Sequence, residues 1–295
     1  MVVLLKKCFK EKIPAEINEI FSKYAYVFNP SFIRHKNKSF LAIRAYDNEQ
    51  DSIEALLVIW GDYFETKIIK LSDYFSEKLN LNKIADPKLC IINDTVWGSF
   101  NTGYSQKDNN KLVLFSVEKF NINNYYLCNY YNRKKVEKNW AFFSENENIY
   151  VLYGINPLII LKLVKTDLCN MYFEDYQTFK SLSYKNYTIG TPLVKINGEY
   201  FFIGHRKFVR KGKRLYLGKP FRFVFSEQIK LKSENKYLLH SIKDLLGSKY
   251  KFNKNLISCT YFSGIDFFNN NLYISYGIND VRWNIVRIRM KKIWR

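Results

Sequence analysis

The chain has 295 residues, 47% of them hydrophobic and 25% charged, enough apolar side chain for a sizeable core, so a natively disordered polypeptide is excluded. Lys and Arg number 47 against 27 Asp and Glu, and the net charge of +20 points to an anionic partner such as nucleic acid, a phosphosugar or an acidic lipid. Aromatic residues reach 18%, with 23 Tyr and 24 Phe, a balance suited to pleated strands or stacking surfaces rather than a helical bundle.

At the start, the apolar run Val2 to Leu5 is cut by Lys6 and Lys7, too short for a signal-peptide core and without a small-residue cleavage site. No stretch approaches the ~18 apolar residues of a membrane span. The expectation is a cytoplasmic protein that can rest on the inner face of a membrane. Cys8, Cys90, Cys128, Cys169 and Cys259 are widely scattered, which indicates neither a disulfide framework nor a zinc site, and no metal or cofactor is expected. Ile13, Ile17, Ile20 and Phe21 share one face of a short helix over 14–23, and a second helix is expected over 239–246.

From residue 27 onward the chain repeats. Asn29-Pro30-Ser31, Asp86-Pro87-Lys88, Asn139-Trp140 and Thr191-Pro192-Leu193 each open an apolar or aromatic run, and a degenerate fifth copy starts near Ser263-Gly264. Within each copy a polar turn follows: His35 to Lys38, Asn93-Asp94, Glu145 to Asn148, Asn197-Gly198, and Asn269 to Asn271. A second motif comes after the turn: Arg44-Ala45-Tyr46, Thr102-Gly103-Tyr104, Tyr153-Gly154, Gly204-His205-Arg206, and Tyr276-Gly277 up to Asp280. Units of about 50 residues built from short strands fit a β-propeller blade better than a sandwich or solenoid. The expected architecture is all-β: a single five-bladed β-propeller domain over 1–295, with blades over 27–75, 84–130, 137–180, 188–235 and 256–293 and one or two short peripheral helices.

In a propeller the inner-strand starts converge on one channel, so Asn29, Asp86, Asn139 and Thr191 are expected around one funnel, with Arg44, His205 and Asp280 on its rim. A carboxylate among amides, an Arg and a His suits a hydroxyl-rich ligand with an anionic part, such as a sugar phosphate. Asp86 is the candidate proton-transfer group, and its competing reading is an Asp-Pro turn at a strand start. No second carboxylate pairs with it at an inner strand, which argues against hydrolysis by a base-activated water. For Asp280 the competing reading is a hairpin turn; for His205 it is a satisfied core histidine.

At these residues the chain resembles the inverting β-mannoside phosphorylases and related β-1,2-mannosyltransferases, which are five-bladed propellers. The resemblance rests on short motifs spread over about 27–285. It implies that Asn29, Ser31, Arg44 and Asp280 grip the sugar and that Asp86 is the catalytic acid. Lys138 and Asn139 match the family's Lys-Asn motif, and Gly190 to Pro192 with His205 matches a second one; both motifs imply binding of phosphate or an equivalent anion, with Arg206 and Lys207 beside His205. Ala85 stands where the family has Glu, Lys88 where it has Arg, and Tyr153-Gly154 where it has His-Arg. The missing phosphate-binding Arg shifts the expectation to an inverting, metal-independent glycosyltransferase. It would move a mannose-like sugar from a nucleotide-sugar or sugar-phosphate donor to a glycan or glycolipid acceptor in surface polysaccharide biosynthesis. The alternatives are a β-mannoside phosphorylase or glycoside hydrolase on the same site, or a non-catalytic propeller that binds glycan or protein.

Two segments are strongly basic. Arg206 to Arg222 holds eight bases and no acid, and Arg282, Arg287, Arg289, Lys291, Lys292 and Arg295 follow the last acid, Asp280. They are read as solvated segments, as a diphosphate site, or as a seat on anionic lipid. No nucleic-acid-binding signature accompanies them.

Overall fold

The computed structural model describes residues 1–61, 64–179, 184–245 and 253–294. Strands β1 (Val2–Leu4) and β2 (Phe9–Lys10) precede helix α1 (Ala15–Ser22), whose Ile17 and Phe21 are buried. There follow antiparallel β3 (Tyr26–His35), β4 (Lys38–Asp47), β5 (Ser52–Gly61) and β6 (Phe64–Lys70). Helix α2 (Leu71–Leu79) leads into β7 (Ala85–Ile92), β8 (Thr95–Asn101), β9 (Leu112–Glu118) and β10 (Asn121–Tyr130). The third meander is β11 (Ala141–Glu145), β12 (Asn148–Ile155), β13 (Leu158–Asp167) and β14 (Asn170–Phe179).

In the fourth meander, β15 (Tyr187–Ile189) and β16 (Val194–Ile196) pair with β17 (Glu199–Arg210), which pairs with β18 (Lys213–Val224); β19 (Lys232–Ser233) and β20 (Tyr237–Leu239) border β18. After α3 (Ile242–Leu245) come β21 (Leu256–Phe268), β22 (Asn271–Ile278) and β23 (Arg282–Ile288). The outer edge of β23 is taken by β2, so the chain's start completes its last sheet. Of the second expected helix, only Ile242–Leu245 is helical; Leu239 lies in β20 and Leu246 lies outside the described residues. Helix α2 was not anticipated, although Leu71 and Phe75, four residues apart, form its buried face.

All five expected turns are two-residue hairpins with positive φ at both residues: Lys36-Asn37, Asn93-Asp94, Asn146-Glu147, Asn197-Gly198 and Asn269-Asn270. Their backbone matches the right-handed twist of the flanking strands, which is why Asn and Gly dominate them.

Side-chain alternation explains the unbroken apolar runs. On β4, Phe40 and Ala42 join a core shared with β7–β9, while Leu41, Ile43 and Ala45 join one shared with β22 and β23. On β9, Val113 and Phe115 face the first meander, and Leu112 and Leu114 face the third. On β17, Tyr200 and Phe202 face the third meander, and Phe201 and Ile203 face β21 and β22. Each sheet is therefore apolar on both sides and packs face to face between two others, so alternation of polar and apolar residues is lost along its middle strands. Fully burying a Phe or Leu contributes about 1.5–3 kcal/mol, and much of the aromatic excess goes into these interfaces. Inner strands are tied laterally: Leu89 N–H donates to Ser31 Oγ (2.9 Å), Ser263 Oγ to the Pro30 carbonyl (2.6 Å), and Phe262 N–H to His205 Nε2 (2.8 Å). Among the described residues no helix is long and apolar enough to cross a membrane.

Candidate active site

The repeated inner-strand position is structurally special. Asn29, Asp86 and Asn139 have φ of 54°, 50° and 61°, the left-handed region that Asn and Asp tolerate best. At Asn29 and Asp86 the strand ladder shifts register, between Phe28 and Ser31 and between Ala85 and Lys88. Such bulges take a residue out of the ladder and re-aim its side chain. Asp86 and Asn139 both line a cavity of about 800 Å³.

Arg44, on β4, brings Nη1 to 3.5 Å from Asp86 Oδ1 and lies 5.1 Å from the Phe28 ring centre. Burial alone would raise the Asp86 pKa. Arg44, Lys138, Lys88 and the Tyr261 hydroxyl outweigh it and hold the carboxyl below its ordinary range, so Asp86 is ionised. Asp280 is shifted the other way: burial, reinforced by the charge of Asp86, outweighs Arg44 and the Asn29 amide, which donates to its Oδ1 at 3.5 Å. The structure thus couples the expected rim carboxylate Asp280 to Asp86 through Arg44, where the sequence pattern offered no carboxylate paired with Asp86. Environments that push two carboxylates apart are characteristic of sites that move protons. Asn29 fits there because Gly277 has no side chain: a Cβ on Gly277 would lie 2.1 Å from Asn29 Oδ1.

Beneath Asp86, the buried ammonium of Lys88 donates to Asn139 Oδ1 (2.7 Å) and to the Gly190 carbonyl, joining segments of three successive meanders at one atom. Burial pulls its pKa down to about 7, partly opposed by Asp86. The Tyr261 hydroxyl donates to Asn139 Oδ1 at 3.3 Å, and its ring lies 4.6 Å from that of His205.

Several expected contacts take other roles. Ser31 is fully buried, and its Oγ accepts the Leu89 amide, so it joins β3 to β7 instead of facing the cavity. Thr191 is equally buried, with its Oγ1 accepting the Ile203 amide at 2.9 Å. His205 lines the cavity, but its Nε2 accepts the Phe262 amide and burial drives its pKa down to about 3; it is neutral and supplies no cation. Arg206 points to the other face of β17, where its guanidinium lies 4.7 Å from the Phe208 ring centre and donates to the Tyr237 hydroxyl. Strand alternation turns Lys207 back into the cavity wall.

Lys138 and Lys207 are joined in the wall by Lys134 and Arg214, and none of the four lies within ion-pair distance of a carboxylate among the described residues. The other acids of the wall are already engaged. Glu137 is buried and accepts from Trp140 Nε1 (3.0 Å) and the Tyr153 hydroxyl (2.7 Å). Asp175 accepts from the hydroxyls of Tyr130 (3.0 Å) and Tyr131 (3.3 Å). Arg214, Tyr216 and Tyr261 were not singled out as site residues. Their signal lay in the pairing of Lys207 with Tyr216 across the β17–β18 hairpin and of Tyr216 with Cys259 on β21, which no local motif records.

No protein-family model matches the chain, and no curated protein sequence matches it. Solved structures do. A putative glycosidase from Bacteroides thetaiotaomicron superposes with a TM-score of 0.62 at 12% identity, over 90% of this chain and 87% of that one. A structure of the GH130 family of mannoside phosphorylases, which contains glycoside hydrolases that target β-1,2 mannosidic linkages in Candida mannan, gives 0.60 at 10% identity over 91% and 86%. The β-1,2-mannobiose phosphorylase of Listeria innocua, in complex with β-1,2-mannobiose, gives 0.56 at 14% identity over 92% and 91%. At these identities the likeness is one of fold, and the chain shares the all-β fold of the mannoside phosphorylases and glycosidases.

Proposed function

We propose that the protein is a carbohydrate-active enzyme that cleaves or forms a β-mannoside-like bond with inversion, using inorganic phosphate as the second reactant. The observation that carries this reading is the Asp86 carboxylate, ionised against Arg44 in the wall of a cavity whose other free charges are cations. The meanders are read as the five blades of one propeller, supported by the way each sheet packs between two others and the last packs on the first.

In the cleavage direction a phosphate oxygen attacks the anomeric carbon as the bond to the leaving oxygen breaks, and Asp86 delivers the proton that the leaving oxygen takes. In the synthetic direction Asp86, as carboxylate, removes the acceptor's hydroxyl proton while phosphate departs with the bonding pair. The protein without ligand has Asp86 in its base form. Phosphate held near Lys138 would cancel part of the positive field that depresses Asp86, raising its pKa so that the carboxyl holds the proton it must deliver when the nucleophile is in place. Lys134, Lys138, Lys207 and Arg214 supply the charge that the absent His-Arg motif was expected to provide.

Phosphorolysis ranks above the transferase reading because the structural neighbours are named as phosphorylases and glycosidases. It ranks above hydrolysis because four cations of the wall, Lys134, Lys138, Lys207 and Arg214, have no carboxylate partner among the described residues and suit a phosphate; in a hydrolase Asp280, the carboxylate coupled to Asp86, would be the base that activates water. The test is incubation with β-1,2-mannobiose with and without inorganic phosphate, following mannose 1-phosphate and free mannose. Formation of the sugar phosphate supports the reading. Free mannose at a rate independent of phosphate makes the protein a hydrolase, and turnover only with GDP-mannose and an oligosaccharide acceptor makes it a transferase.

A further inference from the structure

The β17–β18 hairpin reaches past the cavity. Its base contributes Lys207, Arg214 and Tyr216 to the cavity wall, yet pairing continues through Phe208–Leu215 and Val209–Arg214 to Arg210–Lys213. At about 3.4 Å per residue, Lys211 at the tip stands roughly 14 Å beyond Lys207 along β17, while on β18 the tip's Lys213 adjoins Arg214 of the cavity wall. The tip carries Arg210, Lys211 and Lys213, all exposed and without an ion pair among the described residues. Next to these cations two apolar side chains are exposed on opposite faces of the ribbon, Val209 at 62%, paired across the hairpin with Arg214, and Phe208 at 37%. The hairpin is braced: Phe208 stacks on Arg206, which is bonded to Tyr237, and β18 continues beside β21 at Arg214 to Tyr216.

Apolar side chains flanked by cations at an exposed hairpin tip match the interface of an anionic bilayer, where the apolar groups enter the headgroup boundary and the cations meet lipid phosphates. A soluble polyanion would use the cations alone and leave Val209 and Phe208 in water. We propose that the hairpin tip is a seat on an anionic membrane surface, which sets the adjoining cavity mouth against that surface. Charge complementarity favours this occupant, and it holds whether the cavity performs phosphorolysis, hydrolysis or transfer.

The test is sedimentation of the full-length protein with vesicles of phosphatidylcholine alone or with 30% phosphatidylglycerol. Binding is expected only to the anionic vesicles and should weaken in 0.5 M salt. The triple variant Arg210→Gln, Lys211→Gln, Lys213→Gln should lower partitioning roughly a hundredfold. Val209→Trp should add fluorescence that brominated lipid quenches, with the parent protein as the baseline for its five native Trp. No binding to anionic vesicles, or binding that the triple variant leaves intact, overturns the proposal. So does capture by heparin in place of vesicles with no lipid quenching of the Val209→Trp signal, which would identify the hairpin as an arm for a soluble polyanion.

Discussion

Replacing Asp86 by Asn keeps the side chain's volume and one acceptor oxygen while removing its charge and its proton. On an unactivated β-mannoside the leaving alkoxide needs a proton, and losing a positioned acid or base of this kind costs about 10²–10⁴ in rate, or about 2.7–5.4 kcal/mol. A dinitrophenyl glycoside leaves as a stable anion and needs none, so its turnover by the variant should fall less than about tenfold. The fold should survive, because Arg44 retains Asp280 nearby and the Phe28 ring beneath it. Loss of a charged hydrogen-bonding partner in a half-buried site should cost about 1–3 kcal/mol. The sign of the pH effect follows from the depressed carboxyl: its contribution to stability is present above the unfolded pKa of about 4 and is lost as pH falls through the lower folded value. The variant should lack that acid-side step. The assay compares kcat/KM on both substrates and unfolding at pH 7 and pH 3. Equal losses on the two substrates would make Asp86 a binding or structural residue, and unchanged rates would remove it from the reaction.

Further outcomes follow from the neighbouring groups. Ser31→Ala should lower stability by about 1–3 kcal/mol, since the Leu89 amide loses its buried acceptor, and leave KM for the sugar unchanged; a raised KM with normal stability would restore Ser31 as a substrate contact. Lys88, held near pH 7 against about 10.5 when unfolded, binds fewer protons in the native state between those values. Stability should therefore rise with pH from 7 towards 10 by up to about 1.4 kcal/mol per unit, and Lys88→Met should flatten that slope in denaturant titrations; parallel pH dependences would contradict it. Nitrogen chemical shifts of His205 should show a neutral ring from pH 5 to 8 with the proton on Nδ1, because Nε2 is an acceptor; a titration near pH 6.5 would refute the assignment.

What the sequence disclosed was what local backbone demands. Paired left-handed turns need Asn or Gly, so Asn37, Asn93 and Asn197 marked the hairpins, and the same constraint made Asn29, Asp86 and Asn139 visible as one repeated position. Residue type alone could not say which way a strand side chain points. Arg206 and Lys207 looked equivalent, yet alternation sends one to Tyr237 and the other to the cavity. Ser31 and Thr191 have hydroxyls suited to a sugar, but both are spent on amides of neighbouring strands. Lys88 read as a departure from an expected Arg, while in space its ammonium ties the second, third and fourth meanders. Arg44, Asp86 and Asp280 were expected around one funnel from the repeat, but the coupling of their charges and the place of Tyr261 depend on the last meander packing on the first, a closure that no motif within fifty residues can encode.

The central claim is an inverting transfer to phosphate at Asp86, and the configuration of the product tests it most directly. With a β-mannoside and inorganic phosphate, proton and phosphorus NMR during the first turnovers should show an α-configured mannosyl phosphate, abolished on the unactivated substrate by Asp86→Asn. A β-configured product, or substrate consumed with no phosphate incorporated, would contradict it.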